Sequence, residues 1–184
     1  MQRFKQEDAI FILPRYARLY PGHSGVVTGA TADPFRPMFN EYAVEFPDRS
    51  SASLFEFQII EDVPSYTTLI ASIVFDSLGQ AALPGSRGNP PGRQIILRTP
   101  GFDMDMRIDT TKSRVSTIGQ VLERGTRNLL KDLEVRLMKE SMLITTAMSD
   151  TLGVFKFSDV PRGSLNILAV IPQHSSRILG TFSI

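Results

Sequence analysis

His23 and His174 are the only two histidines in the chain and its only side chains with an ordinary pKa near neutrality. Each stands in a turn-forming run, Pro21-Gly22-His23-Ser24-Gly25 and Pro172-Gln173-His174-Ser175-Ser176. A serine hydrolase would need Ser24, Ser175 or Ser176 within hydrogen-bond reach of a histidine that an acid orients, normally on a G-x-S-x-G elbow. No such elbow is present, so both histidines are expected to be exposed turn residues. Asp103, Asp105 and Asp109 share one strand face, and carboxylates two apart can share a hard cation such as calcium. Calcium, however, takes six or more oxygens from a loop, and Arg107 stands within this row. The expected reading is a solvated face whose alternating charge discourages edge pairing. Asp33, Glu41 and Glu45 are the remaining candidates for a general acid and base. Gly22–Gly25 and Gly85–Gly92 lack the spacing of phosphate-binding loops.

One segment reads better as a surface than as a catalytic site. Asp33-Pro34-Phe35-Arg36-Pro37-Met38-Phe39-Asn40 is a loop by its two prolines, yet it carries residue types enriched at interface centres. Asp33, Phe35, Arg36, Met38 and Phe39 are the expected partner-binding residues. The competing expectation is that Phe35 and Phe39 cap the end of a small barrel.

Composition narrows the classes further. The chain has 184 residues, 42% hydrophobic and 21% charged, which suits one medium or two small folded domains. Net charge is +1, so no global field recruits nucleic acid or an anionic membrane. There is no cysteine, which excludes disulfides, thiolate nucleophiles and Cys-ligated zinc or iron–sulfur clusters. The first apolar stretch, Ala9 to Leu13, is cut by Pro14 and Arg15. It is too short for a secretory signal, and no run reaches a membrane span. A cytoplasmic protein without membrane insertion is expected.

The elements that must position these residues are mainly strands. Ile10 and Ile12 lie in a short strand, and Val26-Val27-Thr28 follows a Tyr20–Gly25 turn. Tyr42-Ala43-Val44-Glu45-Phe46 alternates, with Tyr42, Val44 and Phe46 on one face. Pro47–Ser50 makes a hairpin turn, and Ser53–Ile59 resumes as a strand. Gly22, Gly25, Val27, Tyr42, Val44, Phe46 and Asp48 fit the pattern "G-x-x-G-x-V … Y-x-V-x-F-x-D-G". Residues 9–60 thus resemble an SH3-like barrel of the KOW type, with Arg49 where that family has Gly. Residues 1–62 would form this first domain. KOW-type barrels often bind RNA, but residues 1–62 hold six Lys/Arg against nine Asp/Glu, so no nucleic acid is expected.

Residues 63–92 are expected to form a connector. Leu69, Ile70, Ile73, Val74 and Leu78 fit one face of a short helix over Tyr66–Leu78. The run Ala82–Arg93, ALPGSRGNPPGR, reads as a Pro/Gly-rich linker. Residues 93–184 form the second domain. Phe102, Met104, Met106 and Ile108 alternate with Asp103, Asp105, Arg107 and Asp109, the clearest strand signal in the chain. Further strands are expected at 115–122, 133–138, 143–148, 154–157, 166–171 and 177–184. The turn rhythm is that of a β-sandwich.

Gly119-Gln120-Val121, Val135-Arg136-Leu137, the stretch Thr145 to Phe157 (TTAMSDTLGVFKF) and Val160-Pro161-Arg162-Gly163 together resemble a carboxypeptidase-regulatory-like domain. That resemblance covers residues 100–184 and implies a transthyretin-like sandwich, with a hairpin turn at Asp150–Gly153. Phe75 to Ile108 is similar to the segment before this domain in uncharacterised bacterial proteins. In carboxypeptidases the domain is non-catalytic, so the resemblance implies structure rather than hydrolysis. The expected fold is therefore mainly β: a small SH3-like barrel and a transthyretin-like β-sandwich joined by a short helix and the Pro/Gly-rich linker. The expected function is a non-enzymatic interaction or structural module with a protein partner and no cofactor. The alternatives are an accessory subunit of a larger, redox-linked assembly, which the resemblance of small SH3-like barrels to docking subunits implies, and a His/carboxylate hydrolase.

Overall fold

The computed structural model describes residues 2–79, 92–111 and 114–184. The chain is mainly β and divides into two compact units. One comprises Met1–Thr67 with Lys139–Met142, and the other Thr68–Met138 with Leu143–Ile184.

The first unit contains β1 (Ala9–Ile12), a one-turn helix α1 (Pro14–Ala17), β2 (Ser24–Thr31), β3 (Glu41–Glu45), β4 (Ser51–Phe55) and β5 (Ile59–Glu61). They form one antiparallel sheet in the order β4-β3-β2-β1-β5. Period-two patterning decides its faces: Tyr42, Val44 and Phe46 are buried, whereas Ala43 and Glu45 are exposed. Ile10, Ile12, Val27, Leu54 and Ile59 complete this core with Phe4. Gly25 is required by packing, since a Cβ there would lie 2.5 Å from Val44 Cγ1. The turn after Phe46 is closed by Asp48, whose Oδ1 accepts the Ser50 N–H at 3.0 Å. Arg49 adopts φ +67°, the left-handed geometry that its glycine counterpart would take without strain.

The expected strand Ser53–Ile59 is interrupted. Glu56–Gln58 is a single 3₁₀ turn between β4 and β5. These two strands are the opposite edges of the sheet, so the chain must leave β4 and turn to reach β1. That turn brings Glu56 inward.

The second unit contains β6 (Thr67–Asp76), β7 (Arg93–Arg98), β8 (Phe102–Thr110), β9 (Val115–Glu123), β10 (Leu129–Leu130), β11 (Glu134–Lys139), β12 (Met142–Met148), β13 (Val154–Phe157), β14 (Ser164–Ile171) and β15 (Ser176–Ser183). The order is β10-β9-β8-β7-β6-β15-β14-β11-β12, with β13 also paired to β9. Phe102, Met104, Met106 and Ile108 of β8 are buried and join Leu97, Val121, Leu137, Phe155, Ile167 and Phe182 in one core. Each such side chain contributes about 1.5–3 kcal/mol when fully buried. A one-residue slip of β8 would reverse all four, which fixes its register.

The expected helix over Tyr66–Leu78 is corrected to strand β6. The physical reason is a bulge: Ile73 pairs with Leu97 but Phe75 with Ile96, leaving Val74 as the extra residue. The bulge breaks period-two alternation and mimics helical spacing, while Thr67, Thr68, Ile70, Ile73 and Val74 are β-branched strand formers. This segment therefore belongs to the second sheet rather than to a connector. Linker residues 82–91 lie outside the described residues. Asp150–Gly153 does turn the chain, with Asp150 Oδ1 accepting the Leu152 and Val154 N–H groups at 2.9 Å and Gly153 at φ +75°. It is not a hairpin turn, because β12 does not pair with β13; the turn delivers β13 to β9.

Candidate functional site

The loop between β2 and β3 is built by short polar contacts. Asp33 Oδ1 accepts the backbone N–H groups of Phe35 at 2.9 Å and Arg36 at 2.7 Å. These donors hold its carboxyl below the usual carboxylate range. A 3₁₀ turn, Pro37–Phe39, closes the loop, with Asn40 N–H donating to the Pro37 carbonyl at 3.0 Å.

Asn40 anchors the loop from below and is fully buried. Its Oδ1 accepts the Asp33 N–H at 3.0 Å, and its Nδ2 donates to Glu56 Oε2 at 2.7 Å. The same carboxylate oxygen accepts the Tyr42 hydroxyl at 2.8 Å. That hydroxyl in turn accepts the Arg3 N–H at 3.0 Å. Burial, then the bond to Glu56, raise the Tyr42 pKa above its ordinary value. Buried charge is tolerated where hydrogen bonds satisfy it, and here two side-chain donors meet one oxygen of Glu56.

Above this brace lies a contiguous aromatic surface. Phe39 meets Phe55 and Phe57 edge-on, with centroids 6.0 and 5.7 Å apart. Phe55 and Phe57 stack at 5.6 Å, and Tyr16 continues the row from Phe57 at 5.6 Å. The Arg36 guanidinium lies 4.5 Å from the Phe39 ring centroid, within cation–π range. Phe35 is 88% exposed, Phe39 41% and Phe55 38%. Met38, Phe57 and Tyr16 are half-buried. At its far end Tyr16 donates to Glu140 Oε2 at 2.5 Å. Burial first, then this bond, push the Tyr16 pKa up to about 12.

The structure brings Asp33, Arg36 and Phe39 together, and Phe35 projects beside them. Phe35 is no core cap, whereas Phe39 half-covers Phe55 and Phe57. Phe55, Phe57 and Tyr16 join this surface without having been expected there. The Phe55-Glu56-Phe57 triplet places both rings on one strand face, but alternation reads that face as the inward one, opposite the acid. The Asn40–Glu56–Tyr42 brace had no local signal at all.

The other candidates are dispersed. His23 is half-buried rather than exposed, stacked on Phe11 with centroids 5.3 Å apart, and its Nδ1 has no hydrogen-bond partner among the described residues. His174 is exposed. Its Nε2 lies 3.3 Å from Glu123 Oε1, while Ser176 Oγ donates to the His174 carbonyl rather than to its ring. Asp103 pairs with Arg98 through two 2.8 Å bonds, Asp105 accepts from Gln94, and Asp109 pairs with Arg107. Among the described residues no group of three or more His, Cys, Asp or Glu could hold a metal ion. Glu41 and Glu45 point outward from β3 four residues apart, about 13 Å by strand rise, and Glu41 bonds Ser53. An open groove of about 590 Å³ beside β2 is lined by Ala9, Val26, Glu45, Phe46, Arg49 and Asp62, with neither histidine. No described helix is long and apolar enough to cross a membrane.

No protein-family model, curated protein or solved structure matches this chain.

Proposed function

We propose that this chain is a non-enzymatic protein-interaction module whose SH3-like first unit docks a protein partner through the Asp33–Phe39 loop. The carboxypeptidase-regulatory-like second unit is a structural domain in this reading. One observation carries it: Phe35, Arg36 and Phe39 stand exposed on a loop held by a buried polar brace, and Phe39 continues into the exposed ring of Phe55 and the half-buried ring of Phe57. Aromatic and arginine side chains on a rigid base are the residue types that dominate binding energy in protein interfaces. Their exposure leaves that apolar area in water until a partner covers it.

The test is affinity capture with the full-length chain and its Phe35→Ser/Phe39→Ser variant. Leu78→Ser, at an exposed apolar position outside the row, is the control. The proposal expects a partner retained by wild type and Leu78→Ser and lost by the double variant. Stability separates binding from folding: Phe35→Ser should stay within about 0.5 kcal/mol of wild type. Phe39→Ser should lose about 1–2 kcal/mol through its two ring contacts. Equal capture by all three proteins refutes the docking role.

A further inference from the structure

We propose that the aromatic surface selects an acidic partner: a short extended peptide with an apolar centre and a carboxylate toward either end, received by Arg36 and Arg15. This rests on the docking reading above and names the chemistry of its partner. The aromatic row ends in an arginine on both sides. Arg36 lies 4.5 Å from the Phe39 ring centroid, and Arg15 lies 5.7 Å from that of Tyr16. Their side chains are 67% and 61% exposed. Each has one loose ion pair, Arg36 with Asp33 at 3.9 Å and Arg15 with Glu140 at 3.5 Å. Neither guanidinium donates a hydrogen bond to a described residue. Asp33 and Glu140 are meanwhile engaged by the fold, the first accepting the Phe35 and Arg36 N–H groups and the second the Tyr16 hydroxyl. A guanidinium presents its N–H donors as a planar fork that matches a carboxylate bidentately. Two such forks therefore stand at the ends of an apolar strip with their donors open.

The row also limits the length of the peptide. From Arg36 through Phe39, Phe57 and Tyr16 to Arg15 the steps are 4.5, 5.7, 5.6 and 5.7 Å. Together they bound the separation of the forks at roughly 22 Å, which is about six residues of extended chain at about 3.3 Å each. The two acids thus lie within about six residues of each other, with apolar side chains between them over the rings. A nucleic acid fits less well. It would lay a phosphate at every nucleotide on a unit whose residues 1–62 hold six Lys/Arg against nine Asp/Glu, whereas the peptide brings only two charges.

Selection of a displayed random heptapeptide library on the immobilised full-length chain tests this. Recovered sequences should carry two Asp or Glu residues flanking apolar ones. A synthetic peptide of that consensus should lose at least about tenfold in affinity with Arg15→Gln or Arg36→Gln, because each removes a charge-assisted bidentate contact. Arg36→Lys, a milder change that keeps the charge without the fork, should also bind more weakly than wild type. Far-UV circular dichroism reports the folding of each variant. A neutral or basic consensus whose binding Phe35→Ser/Phe39→Ser abolishes overturns the acidic assignment and leaves the docking reading standing. A consensus indifferent to that double variant, or no enrichment at all, overturns both. A uridine oligomer that binds more tightly than the consensus peptide overturns the choice of a peptide.

Discussion

Replacing Asn40 with Ala tests whether the buried brace holds the aromatic loop. The side chain is fully buried and makes at least two bonds, one to the Asp33 N–H and one to Glu56 Oε2. A hydrogen bond to a charged group is worth about 1.5–3 kcal/mol and a neutral one about 1 kcal/mol. The expected loss is therefore about 3 kcal/mol. In a unit of this size that lowers the melting temperature by roughly 12–24 °C, provided the first unit unfolds as its own transition. Tyr42→Phe removes the other donor to the same oxygen and should lose about 2 kcal/mol by the same reasoning. The decisive quantity is their coupling. Each single variant leaves Glu56 Oε2 with one side-chain donor, and the double variant leaves it with neither. The double loss should exceed the sum of the singles by at least about 0.5 kcal/mol. Urea unfolding measures all four proteins, and amide exchange at Phe35 and Arg36 should accelerate in Asn40→Ala while the β8 amides of the other unit stay protected. Single losses under about 0.5 kcal/mol, or strict additivity, would refute the brace.

Three further outcomes follow from local geometry. Arg49→Gly should stabilise the chain by about 0.5–1 kcal/mol. It relieves left-handed strain of about 1–2 kcal/mol against a glycine entropy cost of about 0.5–1 kcal/mol, and a lower urea midpoint would contradict this. The Arg98 guanidinium, with Arg124 behind it, lowers the Asp103 pKa against an opposing contribution from burial. Its stabilisation is complete above the unfolded value of about 3.9 and is lost as pH falls through the lower folded value, so wild type and Asp103→Asn should converge in stability below about pH 4. Tyr16 has the opposite sign: its folded pKa of about 12 exceeds the unfolded value of about 10. Its contribution is complete below about pH 10 and lost as pH rises toward about 12, so Tyr16→Phe should flatten the alkaline fall in stability and remove a phenolate absorbance step near pH 12.

What could be read from the sequence was whatever alternates without interruption. Phe102 to Asp109 announces β8 because each buried residue is apolar and most outward ones are charged. Tyr42, Val44 and Phe46 announce β3 for the same reason. Where the ladder is irregular, the pattern misleads. The bulge at Val74 gave β6 a helical spacing, and the 3₁₀ turn at Glu56 was hidden within a run that alternates acceptably. The loop 33–40 was legible from Pro34 and Pro37, which do not belong inside a strand. Its aromatic neighbours Phe55 and Phe57 lie sixteen or more residues away, and only the pairing of β3 with β4 brings them to Phe39. Burial of Glu56 was invisible for a deeper reason. An acid is expected at the surface unless specific partners satisfy it, and those partners, Asn40 and Tyr42, come from other elements.

That burial ties stability to binding. Exposed rings on a mobile loop would forfeit part of their interaction free energy to ordering when a partner arrives, about 0.5–1.5 kcal/mol for each immobilised side chain. Here Asp33 fixes the loop backbone, Asn40 fixes Asp33, and Glu56 fixes Asn40, so the ordering is completed during folding. Weakening the brace should therefore reduce partner affinity without removing any ring that touches the partner. Asn40→Ala and Phe35→Ser then become distinguishable: the first lowers both stability and affinity, the second affinity alone. If Asn40→Ala, studied where it remains folded, binds as tightly as wild type, the loop's rigidity contributes nothing to recognition.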